Sequence, residues 1–215
     1  NTYELNVSVS DGSLSSSKSF TVTVTDDPSD NPNTEPTCDA YITEGDIAIQ
    51  NAEQCEMTRG GLFREFIKYV PQSIHANNVS APIVFVLHGY GGNAQQMTYL
   101  GWQEISTSNN VMICYPNGTI DLFGSTHWNS NLYTGDVTGI PKGTDDHGFL
   151  VSLSNHIQST YQISSDCVFS CGFSNGGFMS FSLACHEPEH FKAVGSVGGL
   201  MSEYDYEYCN PTQST

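Results

Sequence analysis

Basic residues are scarce: six Lys and Arg stand against 23 Asp and Glu, a formal net charge of −17. Phosphate recognition depends on clustered cations, so nucleic acid is not an expected partner, and an anionic membrane surface is disfavoured on the same ground. No run of 18 apolar residues occurs, so no membrane-spanning helix is expected. C-x-x-C pairs are also missing; the nearest two of the seven cysteines, Cys167 and Cys171, are four apart. That spacing gives a thiolate metal site little support, and disulfides in an oxidising, extracellular setting are the better reading. The odd count leaves one thiol free or paired outside the chain. Neither an initiator Met nor a basic-then-apolar leader opens the sequence, which is expected to be cut from something longer. What is present suits a packed globular protein: 38% hydrophobic and 11% aromatic residues.

Organisation follows from composition. Residues 3–9 (YELNVSV) and 19–25 (SFTVTVT) alternate apolar and polar, with an Asp11-Gly12 turn signal between them. This reads as a β-hairpin with a long loop, and a lone hairpin needs a sheet to pack on. It resembles the last two strands of an immunoglobulin-like or cadherin-like sandwich of the kind strung along secreted bacterial enzymes; an edge hairpin of the main domain is the other reading. Residues 26–37 (DDPSDNPNTEPT) are acidic, Pro-rich and without a large apolar side chain, which is linker composition. The expected division is a hairpin over 1–26, a linker over 27–40 and a main domain over 41–215.

From Cys38 onward the pattern changes. LFREFIKYVP (62–71) reads as an amphipathic strand, PIVFVLHGYGG (82–92) as a strand buried on both faces running into glycines, and VMICYPNG (111–118) as another buried strand. Residues 93–110 and 145–161 have helical spacing. DCVFSCGFS (166–174) is a strand, NGGFMSFSLAC (175–185) a helix and KAVGSVGG (192–199) a further strand. Strands alternating with helices indicate βαβ units, a parallel sheet and an α/β fold.

One turn in that alternation carries chemistry. CGFSNGGF (171–178) contains G-x-S-x-G between a strand and a helix. A side chain at Gly172 or Gly176 would collide with a neighbouring element, and Ser174 is expected in a strained conformation at the tip. Helix N-terminal N–H groups point where an oxyanion develops, so the Asn175 N–H is the expected first donor. The glycine-rich LHGYGG (87–92) supplies the second, the Tyr90 N–H. A serine of this kind needs a histidine and a carboxylate, which on this type of turn follow it in the chain.

With GLFREFIKYVP, PIVFVLHGYGGNA, VMICYPNG, HWN, DDHGFLVSL and CGFSNGGFMSFSLACHEPEHFKAVGSVGG in this order, residues from about 60 to 211 resemble a known family. It is that of the secreted α/β-hydrolase esterases related to polyhydroxybutyrate depolymerases and feruloyl or acetyl-xylan esterases. The resemblance implies a three-layer α/β-hydrolase sandwich with a mostly parallel sheet, and a serine hydrolase cleaving polyester or plant cell-wall esters through an acyl-enzyme without cofactor or metal. Ser174 is then the nucleophile and the N–H groups of Tyr90 and Asn175 the oxyanion hole, with Trp128 and His88 at the substrate. The acid and the histidine are expected beyond Thr215, together with the last sheet strands, so that this chain alone would be inactive. The parent would be secreted and would carry tandem adhesion-type repeats. His147 departs from the family, which has an aliphatic residue there. Resemblance and loop position pair Cys185 with Cys209, with Cys38–Cys55 as second choice; Cys114 and Cys171 read as free thiols in buried strands.

Other readings compete. HEPEH (186–190) matches the zinc-protease pattern H-E-x-x-H, but Pro188 breaks the helix that pattern needs, and the stretch reads as a surface helix terminus. His88, His147, His186 and His190 are alternative bases in another chain order. His147 reads first as a solvated first-turn residue, Asp145 and Asp146 as helix caps, and Asp205 as solvated. A non-catalytic, esterase-like module binding polymer or glycan is the rival from another class.

Overall fold

Strands that are apolar on both faces need cover on both faces, and helices supply it here. The computed structural model describes residues 2–10, 15–23, 33–43, 48–77, 81–130 and 144–209. In chain order the strands are β1 (Thr2–Ser10), β2 (Ser15–Thr23), β3 (Thr37–Ile42), β4 (Ala48–Arg59), β5 (Leu62–Tyr69), β6 (Ile83–Leu87), β7 (Met112–Pro116), β8 (Thr119–Ile120), β9 (Thr126–His127), β10 (Val168–Phe173) and β11 (Ala193–Val197). The helices are α1 (Gln72–Asn77), α2 (Ala94–Thr98), α3 (Trp102–Asn109), α4 (Asp146–Tyr161), α5 (Asn175–His186) and α6 (Glu203–Tyr208).

One mixed sheet runs in the order β11-β10-β6-β7-β5-β4-β3. The pairs β11–β10, β10–β6 and β6–β7 are parallel, and β5, β4 and β3 continue the sheet antiparallel. Alternate side chains of β6 and β7 divide between two cores. Ile83, Phe85, Leu87, Met112 and Cys114 pack with Phe149, Leu150 and Leu153 of α4 and Met179 and Leu183 of α5. Val86, Ile113 and Tyr115 pack with Ala94 and Met97 of α2. This is the three-layer α/β arrangement the sequence led us to expect.

Several local readings need correction. The single helix over 93–110 is two, because Gly101 takes φ 79° between α2 and α3. The strand 62–71 is not amphipathic in the expected sense: Phe63 is exposed while Arg64 and Lys68 are buried. Each cation is admitted by a partner, Arg64 by Asp146 and Lys68 by Glu53 and the Tyr161 hydroxyl. The hairpin forms as a separate two-stranded sheet, with pairing that reaches Ser10↔Ser15. Its second strand therefore starts earlier than apolar alternation indicated, since backbone pairing does not require apolar side chains. The Asp11-Gly12 turn and linker residues 24–32 lie outside the described residues.

Disulfides join Cys38 to Cys55 across β3–β4, and Cys185 at the end of α5 to Cys209 just after α6. Cys114 is a buried free thiol as expected; Cys171 is only partly covered, although burial still pushes its thiol up to about 12.

Candidate active site

Ligands of open α/β sheets bind at the carboxyl ends of parallel strands, and there β6, β7, β10 and β11 end together. At the end of β10, Ser174 has φ 51° and ψ −115°, a region disfavoured for a side chain and costing about 1–3 kcal/mol. Neighbouring backbone holds it there. The Ser174 N–H donates to Val197 O (2.8 Å), and the Phe178 N–H donates to Ser174 O (3.0 Å). The Ser174 hydroxyl is half-buried, does not cap α5, and has no hydrogen-bond partner among the described residues.

The flanking glycines are required by contact. A Cβ on Gly176 would stand 2.6 Å from His88 O and closer still to Leu87 O, both backbone atoms. Rotamer changes cannot relieve a clash with backbone, so Gly176→Ala is expected to lower unfolding free energy by about 3 kcal/mol. Urea denaturation of the full-length protein measures it; an unchanged midpoint would show that the turn yields.

Across from the serine lies the loop after β6. A Cβ on Gly89 would be 3.5 Å from the Ser174 Cβ, which places this loop beside the turn. Its first residue is anchored by other segments. The Gly118 N–H donates to His88 Nε2 (2.9 Å), so the neutral ring carries its proton on Nδ1 and donates to Gly89 O (2.7 Å). Burial holds His88 below the usual histidine range, which keeps it neutral. The Trp128 indole N–H donates to His88 O (3.0 Å), and the Asn175 side chain accepts from Trp128 N–H (2.6 Å) and donates to Trp128 O (3.1 Å).

The expectation that Trp128 and His88 face substrate is therefore corrected. They are 1% and 0% exposed, spent on holding the Tyr90 loop and Asn175 in place. The N–H groups of Tyr90 and Asn175, by contrast, have no hydrogen-bond partner among the described residues. Three groups are thus unengaged among the described residues: the Ser174 hydroxyl, the first amide of α5 and the Tyr90 amide, one residue beyond the Gly89 that lies beside the turn.

The competing residues have other partners. Asp145 caps α4, accepting from the Gly148 N–H (2.7 Å). Asp146 is not a cap: it is buried, 2.6 Å from Arg64, and accepts from the Asn129 N–H (2.7 Å). Nor is His147 simply solvated; its Nε2 meets Ser182 Oγ (2.9 Å) and its Nδ1 lies 3.5 Å from Glu187. Asp205, expected to be solvated, is fully buried, 2.8 Å from His186 Nε2, and accepts from the Ser182 hydroxyl (3.2 Å). α5 ends at His186, so the two histidines of HEPEH do not share a helix and the zinc-protease arrangement is not formed. Cys38, Glu53 and Cys55 bring ligand atoms within 4.8 Å of one another, but the two sulfurs are joined in a disulfide. Sequence reasoning missed Arg64 and Asp121, for neither of which a local signal stood out.

Comparison with known proteins places most of the chain in one family. A family model described as "Putative esterase" matches residues 63–206. The chain is 30% identical over 149 residues to a "Probable feruloyl esterase C" of Aspergillus clavatus, covering 66% of this chain and 48% of that protein. It is 24% identical over 165 residues to a poly(3-hydroxybutyrate) depolymerase of Ralstonia pickettii, covering 72% and 33%. Among solved structures, acetyl xylan esterase 1 of a Thermoanaerobacterium species aligns with a TM-score of 0.51 at 16% identity, over 80% of this chain and 56% of that one, a likeness of fold. The chain spans about half the length, or less, of the curated relatives it matches.

Proposed function

This chain belongs to the Esterase family, and from that premise we propose that it carries the nucleophile and oxyanion hole of a serine carboxylic-ester hydrolase. The observation that supports this most directly is Ser174: a serine of positive φ at a strand–helix turn, its hydroxyl without a hydrogen-bond partner among the described residues and its flanking glycines unable to take a side chain. In the reaction, Ser174 Oγ loses its proton to a histidine and attacks the ester carbonyl. The N–H groups of Tyr90 and Asn175 hold the tetrahedral oxyanion, the α5 N-terminus adding its dipole. Collapse expels the alcohol, and water then releases the acid from the acyl-enzyme. The histidine and its carboxylate come from beyond Thr215, a reading supported by the lack of any histidine on the Ser174 hydroxyl among the described residues.

The names of the relatives suggest polyester or feruloyl and acetyl esters of plant cell walls as substrates. Two disulfides fit secretion of the parent. The esterase portion begins by Thr37 rather than at 41, because β3 joins the main sheet and Cys38 is paired with Cys55; the residues just before it are the linker, and 1–26 the tail of an immunoglobulin-like repeat.

A fluorophosphonate probe tests the reading. The full-length protein is expected to gain one adduct, mapped by peptide mass spectrometry to the peptide containing Ser174. An adduct on another residue, or none on the folded protein, would leave the non-catalytic binding reading in place.

A further inference from the structure

We propose that Asp121 is a positioning residue for this reaction, acting through the Tyr90 hydroxyl to hold the Tyr90 amide where the oxyanion forms; the inference rests on the Ser174 reading above. Tyr90 lies between Gly89 and Gly91, and Gly91 adopts φ 72°. A backbone flanked by glycines has little steric definition of its own. An oxyanion donor, however, acts only if it is already aimed when charge develops. Something outside the loop must fix it.

The β8–β9 hairpin does so. The Tyr90 hydroxyl donates to Asp121 Oδ2 at 2.5 Å. Asp121 Oδ1 accepts from the N–H groups of Phe123 and Ser125, each at 2.9 Å, so the carboxylate is anchored to its own turn. That turn is closed by Asp121 N–H to Ser125 O (2.8 Å) and Gly124 N–H to Asp121 O (3.1 Å). One residue further along each segment, the Gly91 N–H donates to Thr126 O (2.8 Å) and the Thr126 hydroxyl to Gly92 O. The loop is therefore tied at Tyr90, Gly91 and Gly92, and the tie at Tyr90 runs through a side chain whose ring is otherwise exposed. Asp121 is buried although its neighbours Leu122 and Phe123 are exposed, so the turn places its carboxylate inward, toward this bond. The Tyr90 bond holds that carboxyl below the usual carboxylate range, which keeps it an ionised acceptor near neutral pH.

Tyr90→Phe removes the donor and leaves the turn intact. Asp121→Ser keeps an oxygen that can accept from the turn amides but is too short to reach the Tyr90 hydroxyl. In the full-length protein with 4-nitrophenyl acetate, each change is expected to lower kcat about tenfold with KM unchanged, less than the hundredfold or more that deleting a donor costs. The double variant should lose no more than either single one, because both cut the same tie. Wild-type kcat in Tyr90→Phe, losses that multiply in the double variant, or a loss confined to KM would each overturn the inference. Ser174→Ala separates the two levels: activity that survives it sinks the Ser174 reading itself, whatever Tyr90→Phe does.

Discussion

Ser174→Ala is expected to reduce kcat/KM for ester cleavage by the full-length protein about 10⁴-fold or more, while thermal unfolding stays within about two degrees of the parent. The first part follows from chemistry. Without Oγ there is no acyl-enzyme, and only water attack assisted by the oxyanion hole remains. The second follows from the turn itself. The Ser174 side chain makes no hydrogen bond among the described residues, and the backbone bonds to Val197 and Phe178 use atoms that alanine keeps. Alanine at φ 51° carries the same strain as serine, so little stability is gained or lost. Steady-state kinetics beside a melting curve decide it. Persisting turnover would remove Ser174 from the mechanism, whereas loss of turnover with loss of folding would show the residue to be structural.

Asp146→Ala is expected to cost about 3–5 kcal/mol of stability, the range found when one partner of a buried pair is removed. Arg64 and Asp146 meet at 2.6 Å with side-chain exposures of 2% and 0%, and the guanidinium lies over the Phe149 ring at 3.8 Å. Burial pulls Arg64 down from its ordinary range, while the Asp146 charge and hydrogen bond oppose that pull. Take Asp146 away and the opposition goes, leaving a desolvated cation. The Asn129 N–H loses its acceptor as well, one residue from the Trp128 that braces Asn175. Urea denaturation measures the loss. The double variant Arg64→Met with Asp146→Leu should recover most of it, since an apolar pair leaves no charge behind; failure to recover would place the cost in packing instead.

Much of the fold and the core of the candidate site could be read locally. IVFVL and MICYP are apolar at every position, so they became central strands with cover on both sides. Gly172, Ser174 and Gly176 sit where a strand must turn into a helix, a pattern legible locally. Only the Gly172 clash, however, is with chain neighbours, Gly176 and Gly177; the Gly176 clash is with the distant backbone of Leu87 and His88. Cys185 and Cys209 also paired as expected. Polar residues were harder. Nothing near Asp146 in sequence says that Arg64, 82 residues away, will meet it, so it looked like a helix cap. Asp205 looked solvated because its partners Ser182 and His186 lie on another helix. Trp128 and His88 were placed at the substrate by the family resemblance, and only packing shows them buried.

By itself, then, the sequence determined periodicity, turns and the strand–turn–helix pattern of the reactive serine, because those signals depend on neighbours within a few positions. Only the tertiary structure decided which polar side chains are buried. Desolvating a charge or an imidazole is too costly without a partner, and each partner here was delivered by a distant segment: Asp146 to Arg64, Gly118 to His88, and Tyr90 to Asp121.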